Sequence, residues 1–317
     1  MRLIVSGSLA FDRLAEYPGV FSDSILPEKL NIINVCFLVD KVERIHGGTA
    51  GNIAYNLILL GEKPLLISSI GDDDDGRAYL KRLRSWNLSL EAIHKVNDHP
   101  TAGAYIATDK LNNQLIFFHP GAMVSPTTYD VTKLSGSPSD YLAIVSPGCV
   151  GDMKTLSRVY RERNLSYIFD PGQQTPLFSG MELLDMLQGA RALITNEYEL
   201  ELFLQKTKLG VNDLFSYTQT IVTTLGARGC ELRTANTLAE IPAAPVAKVV
   251  NPTGAGDAFR AGLLKGLCLG MDTLSACRLG AVVSAYCVEA PGTQEHIFSL
   301  EELNRRFFTL FNETLHF

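Results

Sequence analysis

A mainly parallel α/β sheet covered by helices on both faces is the fold class this sequence predicts, and three observations predict it. Short apolar runs of strand length alternate with segments of helical length and spacing along most of the chain. Those runs are apolar throughout, as strands buried on both faces are. Polar or glycine-rich residues follow several of them directly, at the carboxyl ends of strands where ligands of such sheets bind. With 317 residues the chain is long enough for one large α/β domain carrying a small appendage.

The first strand is "RLIVSGS". The helix "GNIAYNLILLG" (51–61) has apolar residues at helical spacing and a terminal glycine, "PLLISSIG" (64–71) is the next strand, and "RAYLKRLRSW" (77–86) is an amphipathic helix. Strands follow at "YLAIVS" (141–146), "SYIFD" (166–170), "ARALITN" (190–196) and "TQTIVTT" (218–224), with helices from about Asp152 and from Glu197 between them. Helices over 256–269, 272–289 and 300–311 end the chain. Two insertions break the rhythm. Residues 13–45 lack a long helical pattern and alternate only near their end, and 101–108 with 114–119 read as a hairpin around "DKLNN". Both follow early strands, so the expectation is a single domain, 1–317, with a β-rich lid built from segments 13–45 and 97–121.

Composition excludes several classes. The chain is 46% hydrophobic and 20% charged with net charge −6, which gives no overall pull toward nucleic acid or an anionic membrane. Any anionic substrate therefore needs a local positive site. The six cysteines form no CxxC and sit mostly in apolar segments, as buried or semi-buried thiols of a reduced protein do. The N-terminal apolar run is too short for a signal peptide, and no run reaches the roughly 18 apolar residues of a membrane span. These features point to the cytoplasm. There is no Gly-Lys pair, hence no P-loop, and no GxGxxG. "GDDDDG" (71–76) lacks EF-hand spacing and reads as a helix entry whose acids complement the dipole.

Five short stretches carry chemistry. In "GSLAFD" (7–12), Ser8 and Asp12 follow a strand, and a carboxylate suits vicinal hydroxyls. In "GGTAGN" (47–52), Gly47 and Gly48 let backbone approach a ligand and Asn52 offers both donor and acceptor. "NEYE" (196–199) and "TLGARG" (224–229) each begin at the end of an apolar strand. In "NPTGAGDAFRAG" (251–262) small residues run into Asp257 at a helix start, where unpaired N–H groups and the helix dipole attract anions. An N-cap role would account for Asp257 alone.

Taken in order, "GGTAGN", "NEYE", "TLGARG" and "NPTGAGDAFRAG" resemble the motif set of the phosphofructokinase-B (ribokinase-like) family of sugar and nucleoside kinases, over a span from Gly7 to about Glu295. The resemblance implies a ribokinase-like fold and ATP as co-substrate. It implies that Asp257 is the general base toward the acceptor hydroxyl and that the amides of Gly254, Ala255 and Gly256 form the anion hole. That arrangement suits a reaction which needs mostly positioning and charge stabilisation. Asn196 and Glu199 would hold magnesium around the phosphates, Glu199 through water, and Thr224, Gly226 and Gly229 would line the ATP side. Ser8, Asp12, Gly47, Gly48 and Asn52 would grip the acceptor. The family usually has Asp where this chain has Asn251, which puts activation by a monovalent cation in doubt.

The stretches at 17–40, 117–123, 169–174 and 292–295 resemble the prokaryotic adenosine kinases of that family. A nucleoside needs hydroxyl acceptors for its ribose and an apolar wall for its base. The resemblance gives the first to Asp12 and the second to Phe37, Phe118 and Met123, with Gln173 and Gln174 hydrogen-bonding the base. Ala104 is small where an aromatic wall would be expected. Adenosine is the first expectation, and guanosine, inosine or a plain sugar stay open. An apolar lid also suits a homodimer. Two other readings stand beside this one, a kinase of a free sugar and a nucleoside-binding protein without chemistry. The apolar lid disfavours the first, and the intact Gly254–Asp257 run disfavours the second. The missing glycine fingerprint disfavours a nicotinamide-dependent dehydrogenase.

Overall fold

The computed structural model describes residues 1–111 and 113–316; Asn112, within the expected "DKLNN" turn, lies outside the described residues, as does Phe317. In chain order the first half runs β1 (Arg2–Ser6), β2 (Ala10–Glu16), α1 (Phe21–Ser24), β3 (Lys41–Gly47), α2 (Thr49–Leu59), β4 (Leu65–Gly71), α3 (Asp74–Ser85), β5 (Ile93–Val96), β6 (Ala102–Thr108) and β7 (Gln114–His119). The second half runs β8 (Tyr141–Val145), α4 (Val150–Glu162), β9 (Ser166–Phe169), α5 (Gly180–Leu187), β10 (Ala192–Asn196), α6 (Glu197–Thr207), β11 (Ile221–Thr224), β12 (Cys230–Arg233), β13 (Leu238–Ile241), α7 (Ala255–Cys268), α8 (Thr273–Val288) and α9 (Leu300–Phe311).

Nine strands form one sheet in the order β13-β12-β11-β10-β9-β8-β1-β4-β5, parallel from β5 to β11 and antiparallel at β12 and β13. Its strands feed two cores alternately, which is why they read as continuous apolar runs. Leu3, Val5, Leu142, Ile144 and Ile194 face the core built with α2, α3, α7, α8 and α9. Ile4, Ala143, Val145, Phe169 and Leu193 face the core built with α4, α5 and α6. The antiparallel edge β12–β13, strand β5 and helix α5 are additions to the sequence expectation.

The two insertions make a second, four-stranded sheet in the order β3-β2-β6-β7. The acidic run of 71–76 ties this small sheet to the large one. Asp73 caps α3 by accepting from the Gly76 N–H at 2.7 Å, and it holds Thr101 through its N–H (2.8 Å) and Oγ1 (2.6 Å). Asp75 pairs with Arg44 at 2.8 Å and with Arg13, one from each of β3 and β2. Starting α3 at Asp74, three residues before the expected start, is the consequence of that cap. The six cysteines are free thiols, and Cys36 is exposed rather than buried. No helix of the described residues is long and apolar enough to cross a membrane.

Candidate active site

The carboxyl ends of β1, β8, β9, β10 and β11 open onto a crevice closed on one side by the first turn of α7. Gly254 precedes that helix with φ +82°, a left-handed conformation that favours glycine, and a Cβ there would come within 2.9 Å of Thr293. The Ala255 N–H turns back to the Pro252 carbonyl at 3.2 Å, while Ser284 donates its hydroxyl to the Ala255 carbonyl at 2.6 Å. Gly254, Gly256 and Asp257 keep their N–H groups free of hydrogen bonds among the described residues, so these three amides, and not the expected Ala255 amide, are the open donors at the helix's positive end. Asn251 knits the approach to this loop. It donates from Nδ2 to the Pro291 carbonyl at 2.8 Å and accepts the Thr253 N–H at 2.9 Å.

Asp257 is oriented by an amide chain. Asn52 donates from Nδ2 to its Oδ2 at 2.8 Å. Because a carboxylate only accepts, Asn52 must present Oδ1 to the other side, where Gln294 donates from Nε2 at 2.9 Å. The same Gln294 nitrogen donates to the Tyr79 hydroxyl at 2.9 Å, which donates to the Gly47 carbonyl at 2.8 Å. Burial pushes the Asp257 carboxyl up to about 6, and the charges of Asp12 and Glu199 add to the rise; Arg260 and the Asn52 hydrogen bond oppose it. A carboxyl in this range is ionised at neutral pH yet more basic than an exposed one, which suits a general base.

Asp12 stands across the crevice, its carboxyl also raised to about 6 by burial. A Cβ on Gly47 would lie 2.6 Å from the Asp12 carboxylate, and one on Gly48 would meet the Ser8 carbonyl at the same distance, so both glycines are there because backbone passes close. Ser8 uses its Oγ to accept the Thr49 N–H at 3.0 Å, fixing the start of α2. The register of the small sheet places Ile45, Asp12, Ala104 and Phe118 in one row across its four strands. Paired residues share a face, so Phe118, 50% exposed, stands on the same side as Asp12 with only Ala104 between them. Two inter-strand spacings separate them, roughly 10 Å. The small side chain at 104 thus leaves room rather than forming the wall. Met123 packs with Ala10 and Ala102 at the foot of that face.

Other expected residues fall elsewhere. Phe37 packs edge-on against Tyr17 and Phe21 (both centroid distances 5.0 Å) in an aromatic cluster of the small sheet's connection. Gln174 is buried with its Nε2 on the Gly148 carbonyl at 3.1 Å. Gln173 is exposed and lines a cavity of about 330 Å³ together with Asn196, Glu199, Thr224, Gly256 and Asp257. At the start of α6, Asn196 and Glu199 form a capping box, with the Glu199 N–H on Asn196 Oδ1 at 2.7 Å and the Asn196 N–H on Glu199 Oε2 at 2.8 Å. Glu199 Oε1 remains unpaired among the described residues. Thr224 and Gly226 border both this cavity and an adjoining apolar one of about 490 Å³, which Gly229 also lines, walled by Val249, Phe259 and Val288 among others. The polar cavity suits phosphates and the apolar one suits a flat aromatic base.

Asp170 and Arg260 are site residues that the sequence reading did not single out, although both lie in stretches it quoted. Asp170 follows β9 directly, and Arg260 sits three residues beyond Asp257 on α7, both positions that face the crevice.

A buried carboxylate beside free first-turn amides, between a crevice under the small sheet and a polar cavity, fits the site of one class: a ribokinase-like phosphotransferase. The model of the pfkB family carbohydrate kinases matches residues 29–299, and the chain belongs to that family. It is an ATP-dependent phosphotransferase of the nucleoside and sugar kinase type. A nucleoside kinase of Methanocaldococcus jannaschii is 28% identical over 279 residues, covering 88% of this chain and 91% of that one. A nucleoside kinase of Burkholderia thailandensis in complex with inosine superposes with TM-score 0.88 at 34% identity, covering 98% of this chain and 99% of that one. A ribokinase of Thermotoga maritima shares the fold with TM-score 0.80 at 22% identity, covering 98% of this chain and 99% of that one.

Proposed function

We propose that the protein phosphorylates the 5′-hydroxyl of a purine nucleoside with ATP. The row of Asp12, Ala104 and Phe118 carries this reading. It offers a hydroxyl-binding carboxylate and an uncovered aromatic ring on one face, with a gap between them about as long as a nucleoside. The Burkholderia relative solved with inosine and the archaeal nucleoside kinase support it. Adenosine is the acceptor to test first, with inosine and guanosine beside it.

In this reading Asp257 takes the proton from the acceptor oxygen as that oxygen attacks the γ-phosphorus. The N–H groups of Gly256 and Asp257 meet the charge that develops on the phosphoryl oxygens. Asn52 and Gln294 keep the base aimed, and Asp12 binds ribose hydroxyls. Among the described residues no cluster of three metal-ligating side chains is present. The donor set of Glu199 Oε1 and Asn196 nevertheless fits Mg²⁺, an ion that keeps several waters and takes its remaining ligands from phosphates. When bound, it would neutralise charge on the nucleotide. The small sheet would close over the acceptor as a lid of the single 1–317 domain, excluding water. Its opposite face exposes Val42 (65%), Tyr105 (50%) and Phe117 (68%), which a second copy would cover. We place the enzyme in the cytoplasm.

The test is an ADP-release assay with ATP and Mg²⁺ on adenosine, inosine, guanosine, ribose and fructose 6-phosphate. Turnover of nucleosides above sugars is the expected result, and turnover of sugars alone would overturn the nucleoside assignment. Phe118→Ala should raise KM for the nucleoside by about 10-fold or more, since a stacked ring contributes roughly 1–3 kcal/mol, and should leave ribose unaffected. Equal losses on both would remove Phe118 from the base site.

A further inference from the structure

The phosphate cavity contains a cation that none of the steps above uses. Arg260 is 7% exposed, and its Nε and Nη2 are both held by the carboxylate of Asp170, the second at 2.8 Å; Asp170 is 0% exposed. This two-point pairing fixes the plane of the guanidinium. The remaining nitrogen, Nη1, has no hydrogen-bond partner among the described residues. It lies so close to Gly256 that a Cβ on that glycine would come within 2.8 Å of it. The unpaired Gly256 N–H and the free edge of Arg260 therefore meet at one place on the wall of the 330 Å³ cavity. Asp170, Glu199 and Asp257 also line that cavity, and Arg260 is its one cationic side chain among the described residues. A polyphosphate entering it has no other side chain of opposite charge to meet.

We propose that Arg260 is a catalytic residue, its Nη1 hydrogen-bonding the phosphoryl group in transfer, and that Asp170 is the positioning residue that aims it. The proposal rests on the kinase reading. In the step, the acceptor oxygen forms its bond to the γ-phosphorus and gives its proton to the Asp257 carboxylate. The bond from the γ-phosphorus to the bridging oxygen breaks, and its electron pair stays with ADP. Arg260 exchanges no proton; it meets the charge spread over the equatorial oxygens. Two donors on one anion, one of them charged, explain why glycine is needed at 256: any side chain there would occupy the space that Nη1 borders.

The competing role is purely structural, a buried ion pair joining the loop after β9 to α7. Removing one partner alone would strand the other and confuse the two roles. The test is the double variant Asp170→Asn with Arg260→Gln, which removes both charges together, with Arg260→Lys as a second variant that keeps the charge but loses the planar fork. For the double variant the expected result is a thermal midpoint near the wild type, unchanged ADP affinity and nucleoside KM, and kcat lower by roughly 10²- to 10³-fold, the range for losing one preorganised donor. Binding of ADP with aluminium fluoride, a planar mimic of the phosphoryl in transfer, should weaken by the same factor. Arg260→Lys should fold and lose kcat with little change in KM. Wild-type kcat in either variant would overturn the catalytic role of Arg260 while leaving the kinase reading intact. A wild-type protein that phosphorylates none of the acceptors in the assay above would overturn both.

Discussion

Asp257→Asn is expected to lower kcat by roughly 10²- to 10⁴-fold, the contribution of a positioned general base, and also to raise the thermal midpoint at pH 7.5. The two effects have one cause. The carboxyl is pushed from 3.8 to about 6 mainly by burial, so ionising it in the folded protein costs more than ionising it in the unfolded chain. The folded state therefore binds the proton more tightly. The cost is fully present above pH 6, shrinks as the pH falls through about 6, and is gone below 3.8. A neutral amide does not incur it, so the variant's advantage in stability should be largest at pH 7.5, smaller at pH 5, and worth on the order of 1–3 kcal/mol. Wild-type kcat/KM should fall as the pH drops below about 6, where the base becomes protonated. Paired melts and initial rates check both halves. Near-normal turnover would remove Asp257 as the base. A variant that melts below the wild type at pH 7.5 would mean that the charge of Arg260 stabilises the carboxylate beyond what burial costs.

The sequence made the large sheet legible because its parallel strands, apart from the polar edge strand β5 (IHKV), are apolar on both faces, and helices α7 and α8 carry enough periodicity to be bounded within a residue or two. Strands β12 and β13 escaped because they form an antiparallel edge of mixed residues such as Glu231 and Glu240, which carry no buried run. At the site, residues announced by local chemistry were visible: glycines that permit close approach, and an Asp at a helix start. Partnerships formed over long separations were not. Asn52 and Asp257 are 205 residues apart, and Asn52 and Gln294 are 242 apart. No spacing rule joins them; the packing of α2 against α7 joins the first pair, and the segment between α8 and α9 brings Gln294 to Asn52. The aromatic wall shows the same limit. Phe37 and Phe118 are equivalent by composition, but strand register alone puts Phe118 beside Asp12, while Phe37 closes a cluster with Tyr17 and Phe21. "GDDDDG" reads as a plain helix entry in sequence because the arginines that Asp75 binds come from another sheet.

Asp170→Ala should produce the largest loss of stability of any single change at the site. In the wild type, burial strips water from the Arg260 guanidinium, and the charge and two hydrogen bonds of Asp170 more than offset that loss, so the group holds its proton more tightly than a free arginine does. Alanine leaves a cation with no counter-charge in direct contact, surrounded by the two packed ends of β9 and α7. Breaking a buried pair in this way costs about 3–5 kcal/mol, or roughly 5–8 °C in the thermal midpoint for a chain of this size. The nucleotide adds a second, more telling expectation. If the free edge of Arg260 faces the phosphates, a bound polyphosphate supplies part of the charge that Asp170 took away. ATP, which carries the γ-phosphate, should then bind Asp170→Ala more tightly and at one fixed concentration raise its midpoint by more than that of the wild type, since a lower Kd gives a larger mass-action shift. Equal shifts in the two proteins would place the guanidinium out of reach of the phosphates. An unchanged midpoint without nucleotide would show that the pair is not dry, and that water already does what Asp170 is credited with here.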